Sequence, residues 1–212
     1  MAESSFGIVR RGGPPSYNDG ATSQIGITTR GELLTCQALP PRAEVTRQGK
    51  SWSVMTATGS AFTNVATMPT TLAVLALYNG DPSRCYVIDS ISFLCLTSVT
   101  AASNIALIYQ VGAPAVLTDD TAQLINSPLG KVYDGRAKRA INVTTMVANK
   151  WTICGVSGSN SVVSIGSAAI ADIEGRIVLP PTSTLGVNAV LGTATGTSLM
   201  GIAWHEVEMA TL

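Results

Sequence analysis

Residues 173–181 have the sequence Ile173-Glu174-Gly175-Arg176-Ile177-Val178-Leu179-Pro180-Pro181. Their apolar residues predict a strand that ends at a Pro-Pro corner. Residues 185–191 predict a second strand, and residues 198–207, which follow a turn rich in Gly and Thr, predict a third. The connections are short and no helical period lies between them, so we expect three consecutive strands of an antiparallel sheet.

The same stretch makes predictions about the core and the surface. We expect its inward-facing apolar side chains to line the core of a sandwich: Val187, Ala189, Leu191, Met200, Ile202 and Trp204. We expect its charged side chains to lie at strand ends: Asp172, Glu174, Arg176, Glu206 and Glu208. Because a subunit interface uses strand middles that carry no charge, this stretch is predicted both to close the fold and to build an oligomer.

The composition points to a protein that is covered by other subunits. Charged residues make up 12% of the 212 residues and hydrophobic residues 46%, whereas an ordinary soluble domain is about 25% charged. A chain with so few charges is expected to bury much of its outside against partners. Its 13 basic and 13 acidic residues balance, so no overall field attracts nucleic acid or an anionic membrane, and both are unexpected partners.

The chain lacks the signals of export and of membrane insertion. Residues 1–6 show no basic region followed by an apolar run, and apolar runs such as residues 72–78 are far shorter than the roughly 20 residues of a membrane helix. We therefore expect synthesis in a cytoplasm. The four cysteines, Cys36, Cys85, Cys95 and Cys154, are scattered without C-x-x-C spacing. This favours buried free thiols over disulfides or a metal site, and no cofactor is expected.

Residues 1–50 differ from the rest and are predicted to form an extended N-terminal arm. They are rich in Gly, Pro and Asn-Asp-Gly breakers and contain six basic residues: Arg10, Arg11, Arg30, Arg42, Arg47 and Lys50. Such a segment cannot build a core of its own. It is expected either to lie on a neighbouring subunit or to form a tail or additional strand on its own domain. Residues 41–49 have Pro near the start and Gly near the end, which favours one or two helical turns.

Residues 51–212 are predicted to form one all-β domain, an antiparallel β-sandwich of jelly-roll type. Roughly ten strand candidates are separated by turn signals every 8–12 residues or so, the spacing of a sandwich or barrel. Besides the C-terminal strands, the candidates are a hairpin at residues 54–58 and 61–67, and strands at 70–78, 85–96, 105–111, 140–148, 151–156 and 161–165. Residues 85–96 are apolar on both faces, as in a central strand covered on two sides. A short helix is expected at 118–125, an exposed charged loop at 131–139 and a turn at 157–160.

The residues that carry chemistry are few, and we expect no enzyme. The chain has one histidine, His205, whereas hydrolytic triads and zinc sites need a histidine together with suitable partners. His205 is expected to be structural at the rim of a sheet, with an interface contact or a pH-sensitive pair as alternatives. Tyr133 lies in the basic loop 131–139, which could bind phosphate or a base, although a solvated loop is the simpler interpretation.

The layout of the whole chain resembles that of a known family. A Gly- and Pro-rich arm is followed by Gly-Glu-Leu-Leu at residues 31–34 and by Leu-Pro-Pro-Arg-Ala-Glu-Val-Thr-Arg-Gln-Gly-Lys-Ser-Trp at residues 39–52. A charge-poor β domain then ends in Ile-Val-Leu-Pro-Pro at 177–181 and Trp-His-Glu-Val at 204–207. In this layout the chain resembles the jelly-roll decoration (cement) proteins of tailed bacteriophage capsids.

The resemblance implies a mechanical function on the surface of a virion. It implies a homotrimer that binds between major capsid protein subunits and stabilises the shell, after synthesis in the host cytoplasm. We expect the contacting residues to include Arg10, Arg11, Arg30, Arg42, Arg47, Trp204 and His205.

Two other functions remain open at this point. One is a receptor- or glycan-binding head of a phage fibre or tail appendage, which would need exposed aromatic residues in a chain that is 5% aromatic. The other is a single jelly-roll coat protein whose arm contacts the packaged genome. The arm carries six basic against four acidic residues, which is little charge for neutralising nucleic acid.

Overall fold

The computed structural model describes residues 42–56, 62–63, 66–69, 71–97, 102–112, 125–148, 150–163, 165–192 and 197–209. Within these ranges it contains a helix, α1 (Ala43–Arg47), and the strands β1 (Ser51–Met55), β2 (Phe62–Thr63), β3 (Ala73–Asn79), β4 (Arg84–Cys95), β5 (Ala102–Gly112), β6 (Ala137–Val143), β7 (Thr152–Val162), β8 (Ala168–Leu179), β9 (Thr184–Val190) and β10 (Thr197–Glu208). Most of the arm, residues 1–41, and the greater part of the expected helix at 118–125 lie outside the described residues.

The strands form two antiparallel sheets that pack as a sandwich, which confirms the predicted fold class. The first sheet has the order β1-β10-β4-β8, with β2 also paired to β10, and the second has the order β6-β3-β9-β5-β7. Apolar side chains from both sheets meet in one core between them, with Trp52 and Tyr86 from the first sheet and Leu75 and Leu107 from the second.

The strand order is that of a jelly roll. Setting aside the short β2 and the edge strand β6, the first sheet contains the first, eighth, third and sixth of the remaining strands, and the second sheet contains the second, seventh, fourth and fifth. This order results when a chain winds twice between two sheets as two Greek keys, the arrangement found in jelly rolls.

The three C-terminal strands do not pair with one another as expected. β8 and β10 belong to the first sheet with β4 between them, whereas β9 belongs to the second sheet. The Pro180-Pro181 corner therefore carries the chain from one sheet to the other instead of closing a hairpin. Asn79 holds this corner, because its side-chain amide donates to the Leu179 carbonyl at 3.0 Å and its own carbonyl accepts from Thr182 N at 2.8 Å.

The predicted core residues of this stretch are confirmed. At most 1% of each is exposed: Val187, Ala189, Leu191, Met200, Ile202 and Trp204. The predicted placement of the charges is wrong for β8, since Asp172, Glu174 and Arg176 lie in the middle of that strand. The reason is that β8 begins at Ala168, ahead of the strand predicted at residues 173–181.

β4 contains a bulge that reverses its alternation. Ile88 pairs with Trp204 and Ser90 with Ala203, so Asp89 is an extra residue on β4. The inward side chains are therefore even-numbered before the bulge and odd-numbered after it, as at Ile88 and Ile91. β4 is a central strand as predicted, but the expected cover on both faces is wrong, because part of its outer face is exposed.

Three other expectations about the strands are corrected. The expected hairpin at 54–67 is absent from the described residues, because β1 and β2 each pair with β10. The expected turn at 157–160 lies within β7, whose register against β5 shifts there instead of the chain reversing. β6 begins at Ala137, within the expected loop. The helix expected at residues 41–49 is confirmed as α1, and Gly49 follows it with a positive φ of 71°, a conformation that glycine adopts readily at a helix C-terminus.

The outer faces of the two sheets differ. On the second sheet, Met146 and Trp151 pack on the outer side chains of β3 and β6. Gln110 of β5 holds this cover in place, since its side chain donates to the Val147 carbonyl and accepts from the Val147 amide, each at 2.7 Å. The outer face of the first sheet has no such cover among the described residues, and the candidate functional site lies there.

Candidate functional site

A shallow depression of roughly 260 Å³ lies on the outer face of the first sheet. Uncharged residues line it, including Ser53, Met55, Ser90, Ser92, Gly201 and Ala203. Their register places them side by side, with Gly201 of β10 between Met55 of β1 and Ser92 of β4. A side chain at Gly201 would not fit, because its Cβ would lie 2.6 Å from Ser92 Oγ. We call this surface the first-sheet depression.

Exposed apolar side chains surround the first-sheet depression. Met55 is 45% exposed, Leu94 37% and Ile170 69%. Ile170 lies opposite Ser92 on the neighbouring strand β8, so it is on the same face. Small central residues let another backbone approach closely, and the apolar rim supplies area that gains free energy when it leaves water. This is the chemistry of protein contact, with no charge at its centre.

Three charged or titratable side chains meet beside the depression in what we call the Asp89 junction. Arg42 Nε lies 3.1 Å from Asp89 Oδ1. His205 Nδ1 lies 3.0 Å from Asp89 Oδ1 and 3.2 Å from Oδ2. Arg42 comes immediately before α1, so the junction fixes the point at which the N-terminal arm meets the first sheet. Since Asp89 precedes Ser90, this point is adjacent to the first-sheet depression.

The structure brings together only part of the predicted interface set. Arg42 and His205 meet at Asp89, and Arg47 is exposed on α1. Trp204 is fully buried, so its side chain is not available to a partner of the folded chain. Arg10, Arg11 and Arg30 lie outside the described residues. Sequence reasoning missed Asp89, although a carboxylate in the middle of an apolar strand is a signal that a cation lies nearby.

A second polar cluster, the Glu206 network, closes the β1–β6 side of the sandwich. Glu206 Oε1 accepts from the Tyr133 hydroxyl at 2.9 Å and Glu206 Oε2 from Arg84 NH1 at 2.9 Å. The Tyr133 hydroxyl also accepts from the Ala137 amide at 2.9 Å and lies 3.2 Å from the Tyr86 hydroxyl. These bonds attach the segment before β6 to the end of β10.

The expected exposed loop at 131–139 is therefore wrong in two places. Tyr133 is 4% exposed, and its ring stands edge-on to Trp52 at 4.7 Å. Arg139 is 3% exposed, and its NH1 donates to the Met55 carbonyl at 2.6 Å. The loop turns inward because these two side chains satisfy polar atoms inside the sandwich edge. Tyr133 is not placed to stack on a nucleic-acid base.

Burial raises the pKa values of three groups in the Glu206 network. It raises the pKa of the Glu206 carboxyl above its ordinary value, although the hydrogen bonds from Tyr133 and Arg84 act in the opposite direction. Burial also raises the pKa of the Tyr133 and Tyr86 phenols. Both phenols therefore remain protonated donors at neutral pH, which suits a structural role at this edge.

We expect the raised pKa of Glu206 to be measurable as a pH-dependent stability. The folded chain holds the carboxyl proton more tightly than the unfolded chain, so this contribution is present below the ordinary pKa of 4.5 and is lost as pH rises through the folded-state pKa. Relative to the wild type, the free energy of unfolding of Glu206→Gln should increase as the pH rises above the ordinary pKa of 4.5 and through the folded-state pKa. Chemical denaturation at several pH values measures this difference.

Asp81 supplies a control of opposite sign. Burial alone would raise the pKa of Asp81, but hydrogen bonds from Ser83 and the charge of Arg84 outweigh burial and lower it. Its contribution is present above the ordinary value of 3.8 and is lost as pH falls. Asp81→Asn should therefore gain on the wild type as pH decreases. A Glu206→Gln curve parallel to that of the wild type would contradict the assignment.

The cysteines are free thiols in the described part of the chain. Cys85 and Cys95 are buried, as predicted, and Cys154 is half-buried. Burial raises the pKa of all three thiols, that of Cys154 to about 11. Cys36 lies outside the described residues. Over the residues described, the structure contains no group of three His, Cys, Asp or Glu side chains close enough to hold a metal ion.

No helix in the described ranges is long and apolar enough to cross a membrane. No protein-family model matches the chain, and no curated protein matches it. Among solved structures, the cryo-EM structure of mud crab dicistrovirus aligns over 97% of this chain and 90% of that chain, at 9% sequence identity and a TM-score of 0.20. The jelly-roll fold is shown by the strand order of the two sheets.

Proposed function

We propose that this chain is a non-enzymatic structural protein of a virion, and more specifically a decoration (cement) protein. In this proposal it binds between major capsid protein subunits on the outside of the shell and stabilises the shell, as a homotrimer. The observation that carries the proposal is the first-sheet depression, an uncharged face of small residues with an exposed apolar rim. The jelly-roll strand order supports it by analogy, since this architecture is used in viral capsid domains.

The asymmetry of the two sheets supports a docking role for the first one. Over β3 and β6 the second sheet is covered by the chain's own Met146 and Trp151, whereas Met55, Leu94 and Ile170 remain exposed on the first sheet. A chain that is 12% charged keeps few groups that must be desolvated when such a face is covered. Simultaneous binding of the three copies of a trimer would add avidity to individually modest contacts.

The Asp89 junction connects the N-terminal arm to the proposed docking face. Because Arg42 is paired with Asp89, the residue that follows residues 1–41 lies beside the docking face. We propose that the arm extends the contact onto neighbouring capsid subunits and that Arg10, Arg11, Arg30 and Arg47 take part. An arm of this length adds contact area without requiring a core of its own.

Co-sedimentation with capsid shells tests the proposal. Shells assembled from the major capsid protein of the same virus should carry the wild-type chain to the pellet. Ser92→Arg places a charge in the first-sheet depression and should weaken binding at least about tenfold, because that charge must be desolvated on docking. Thr145→Arg, on the exposed segment over the second sheet, is the matched control and should bind like the wild type.

Two outcomes would overturn the proposal. Failure of the wild-type chain to bind shells would remove the decoration function. Assembly of the chain alone into closed shells would identify it as a coat protein instead.

A further inference from the structure

The two lateral edges of the sandwich carry different exposed surfaces. At one edge, β7 and β8 are the last strands of their sheets, and they approach so closely that a Cβ at Gly155 would lie 2.8 Å from Ala171 Cβ. At the other edge lie β1 and β6, joined by the bond from Arg139 to the Met55 carbonyl. When two copies are arranged head to tail, the β7–β8 edge of one copy faces the β1–β6 edge of the other.

The β7–β8 edge exposes apolar side chains together with two carboxylates. Its exposed apolar side chains are Ile153 at 57%, Val156 at 64%, Ile170 at 69% and Val178 at 40%. A pocket of about 110 Å³ opens between the two strands and is lined by Tyr109, Ile153, Cys154, Ile173, Arg176 and Ile177. Asp172 and Glu174 are exposed next to it on β8.

The backbone of β8 is closed to strand addition in the middle of this edge. Arg176 folds back and donates to the Ile173 carbonyl at 3.0 Å and to the Asp172 carbonyl at 2.7 Å. Glu174 and Gly175 have positive φ values of 52° and 79°, which interrupt the extended conformation. Bulges and covered carbonyls of this kind prevent sheets from joining edge to edge. A partner must therefore bind the middle of β8 through side chains.

The opposite edge offers a surface that fits. Residues 128–136, which we call the 128–136 loop, expose Leu129 at 55% and Val132 at 78%. The pairing of Asn126 with Ser53 places the start of this loop along β1, and buried Tyr133 anchors its end. Arg136, in the same loop, is exposed as well. Lys131 is exposed too and lies 2.9 Å from Asp134.

We infer that the 128–136 loop of one copy binds the β7–β8 edge of the next copy. Val132 and Leu129 pack against Ile153 and its neighbours, and Arg136 lies near Asp172. Apolar side chains thus meet apolar side chains, and a basic loop meets an acidic strand. Because two different surfaces meet, the contact is heterologous. We propose that the rotation between copies closes it into a ring of three, the trimer of the proposed function. The inference rests on that proposal only for the number of copies.

Sedimentation velocity over a range of protein concentrations tests the contact. Val132→Asp and Ile153→Asp should each weaken self-association at least about tenfold, since each buries an unpaired carboxylate among apolar side chains. Met68→Asp changes an apolar residue of similar exposure, 52%, outside both surfaces and should assemble like the wild type. A circular dichroism spectrum and a thermal melt of each variant show that the chain still folds.

Charge exchange tests whether the two surfaces meet each other. At low ionic strength, Arg136→Glu and Asp172→Lys should each weaken association several-fold, about threefold or more, because each single change places like charges together. The double variant restores opposite charges and should regain most of the wild-type association. A double variant weaker than both single variants would overturn the inference.

Two further results would overturn the inference. One is a wild-type chain that stays monomeric at every concentration, and the other is normal assembly of Val132→Asp and Ile153→Asp. The shell-binding assay separates this failure from that of the proposed function. A monomer that binds shells removes the ring contact alone, and a ring that does not bind shells removes the decoration function alone.

Discussion

Replacing Trp204 by Ala is expected to lower the free energy of unfolding of the single chain by about 3–5 kcal/mol, the range for removing a large aromatic side chain from a core. Trp204 is fully buried and lies 5.9 Å from the Tyr86 ring and 6.4 Å from the Tyr133 ring, centroid to centroid. The loss should be measured by urea denaturation. It should not depend on protein concentration, because the packing lies within one chain.

Trp204→Phe is the matched control for this prediction. The indole nitrogen of Trp204 is buried and has no hydrogen-bond partner in the described part of the chain, so phenylalanine loses ring area but no hydrogen bond. It should cost clearly less than alanine. A Trp204→Ala variant within about 0.5 kcal/mol of the wild type, as at ordinary surface positions, would contradict the burial of Trp204. A loss seen only in the oligomer would favour an interface position instead.

The second large effect is expected at Tyr133. Tyr133→Ala removes a ring packed edge-on against Trp52 and a hydroxyl bonded to Glu206 and Ala137. It should lower the free energy of unfolding by about 3–5 kcal/mol, because a cavity and unsatisfied polar atoms arise together. Thermal or urea unfolding measures the loss.

Tyr133→Phe separates the hydroxyl from the ring. It keeps the ring packing. It removes the hydroxyl that donates to the buried Glu206 carboxylate and accepts from the Ala137 amide. The expected loss is about 1–3 kcal/mol. Stability equal to that of the wild type would show that the hydroxyl bonds contribute nothing, and the Glu206 network would then not fasten this edge.

The inward faces of the strands could be predicted from the sequence because a buried face repeats every second residue. Val187 and Ala189 on β9, and Ile202 on β10, were placed in the core by this alternation alone. The partners of these strands could not be predicted in the same way. β8, β9 and β10 follow one another along the chain, yet they pair with β4, β3, β5 and β1, because pairing between distant segments is decided by the packing of the whole sandwich.

Two predictions made from local composition, the turn at 157–160 and the exposed loop at 131–139, are wrong because the folded chain supplies contacts that composition does not reveal. Ser157-Gly158-Ser159-Asn160 has the composition of a turn, but β7 continues through it, with Ser157 opposite Ile105 and Ser161 opposite Ser103. The register against β5 shifts at residues 158–160, so these turn-forming residues are accommodated as an irregularity within the strand. The charged window at 131–139 misled in a similar way, because Tyr133 and Arg139 find buried partners that only the folded chain supplies.

The candidate site was predicted in part. Arg42 and His205 were named as interface residues, and the structure places both on one carboxylate at the outer face of the first sheet. The carboxylate itself, Asp89, could not be placed on that face by alternation, because the bulge at Asp89 changes the alternation of β4. The first-sheet depression was not predicted either. Its Ser, Gly and Ala residues come from three strands whose adjacency is a property of the topology.

The extra residue of β4, Asp89, cannot be deleted without two separate effects on the fold. Asp89 is the position at which the alternation of β4 reverses, and its carboxylate is paired with Arg42 of the N-terminal arm. Deleting it would turn either Ile88 or Ile91 toward solvent, since a shift of one residue exchanges the two faces of a strand. The deletion would also remove the carboxylate to which the arm is attached. One position, Asp89, therefore determines both which side chains of β4 face the core and where Arg42 is held.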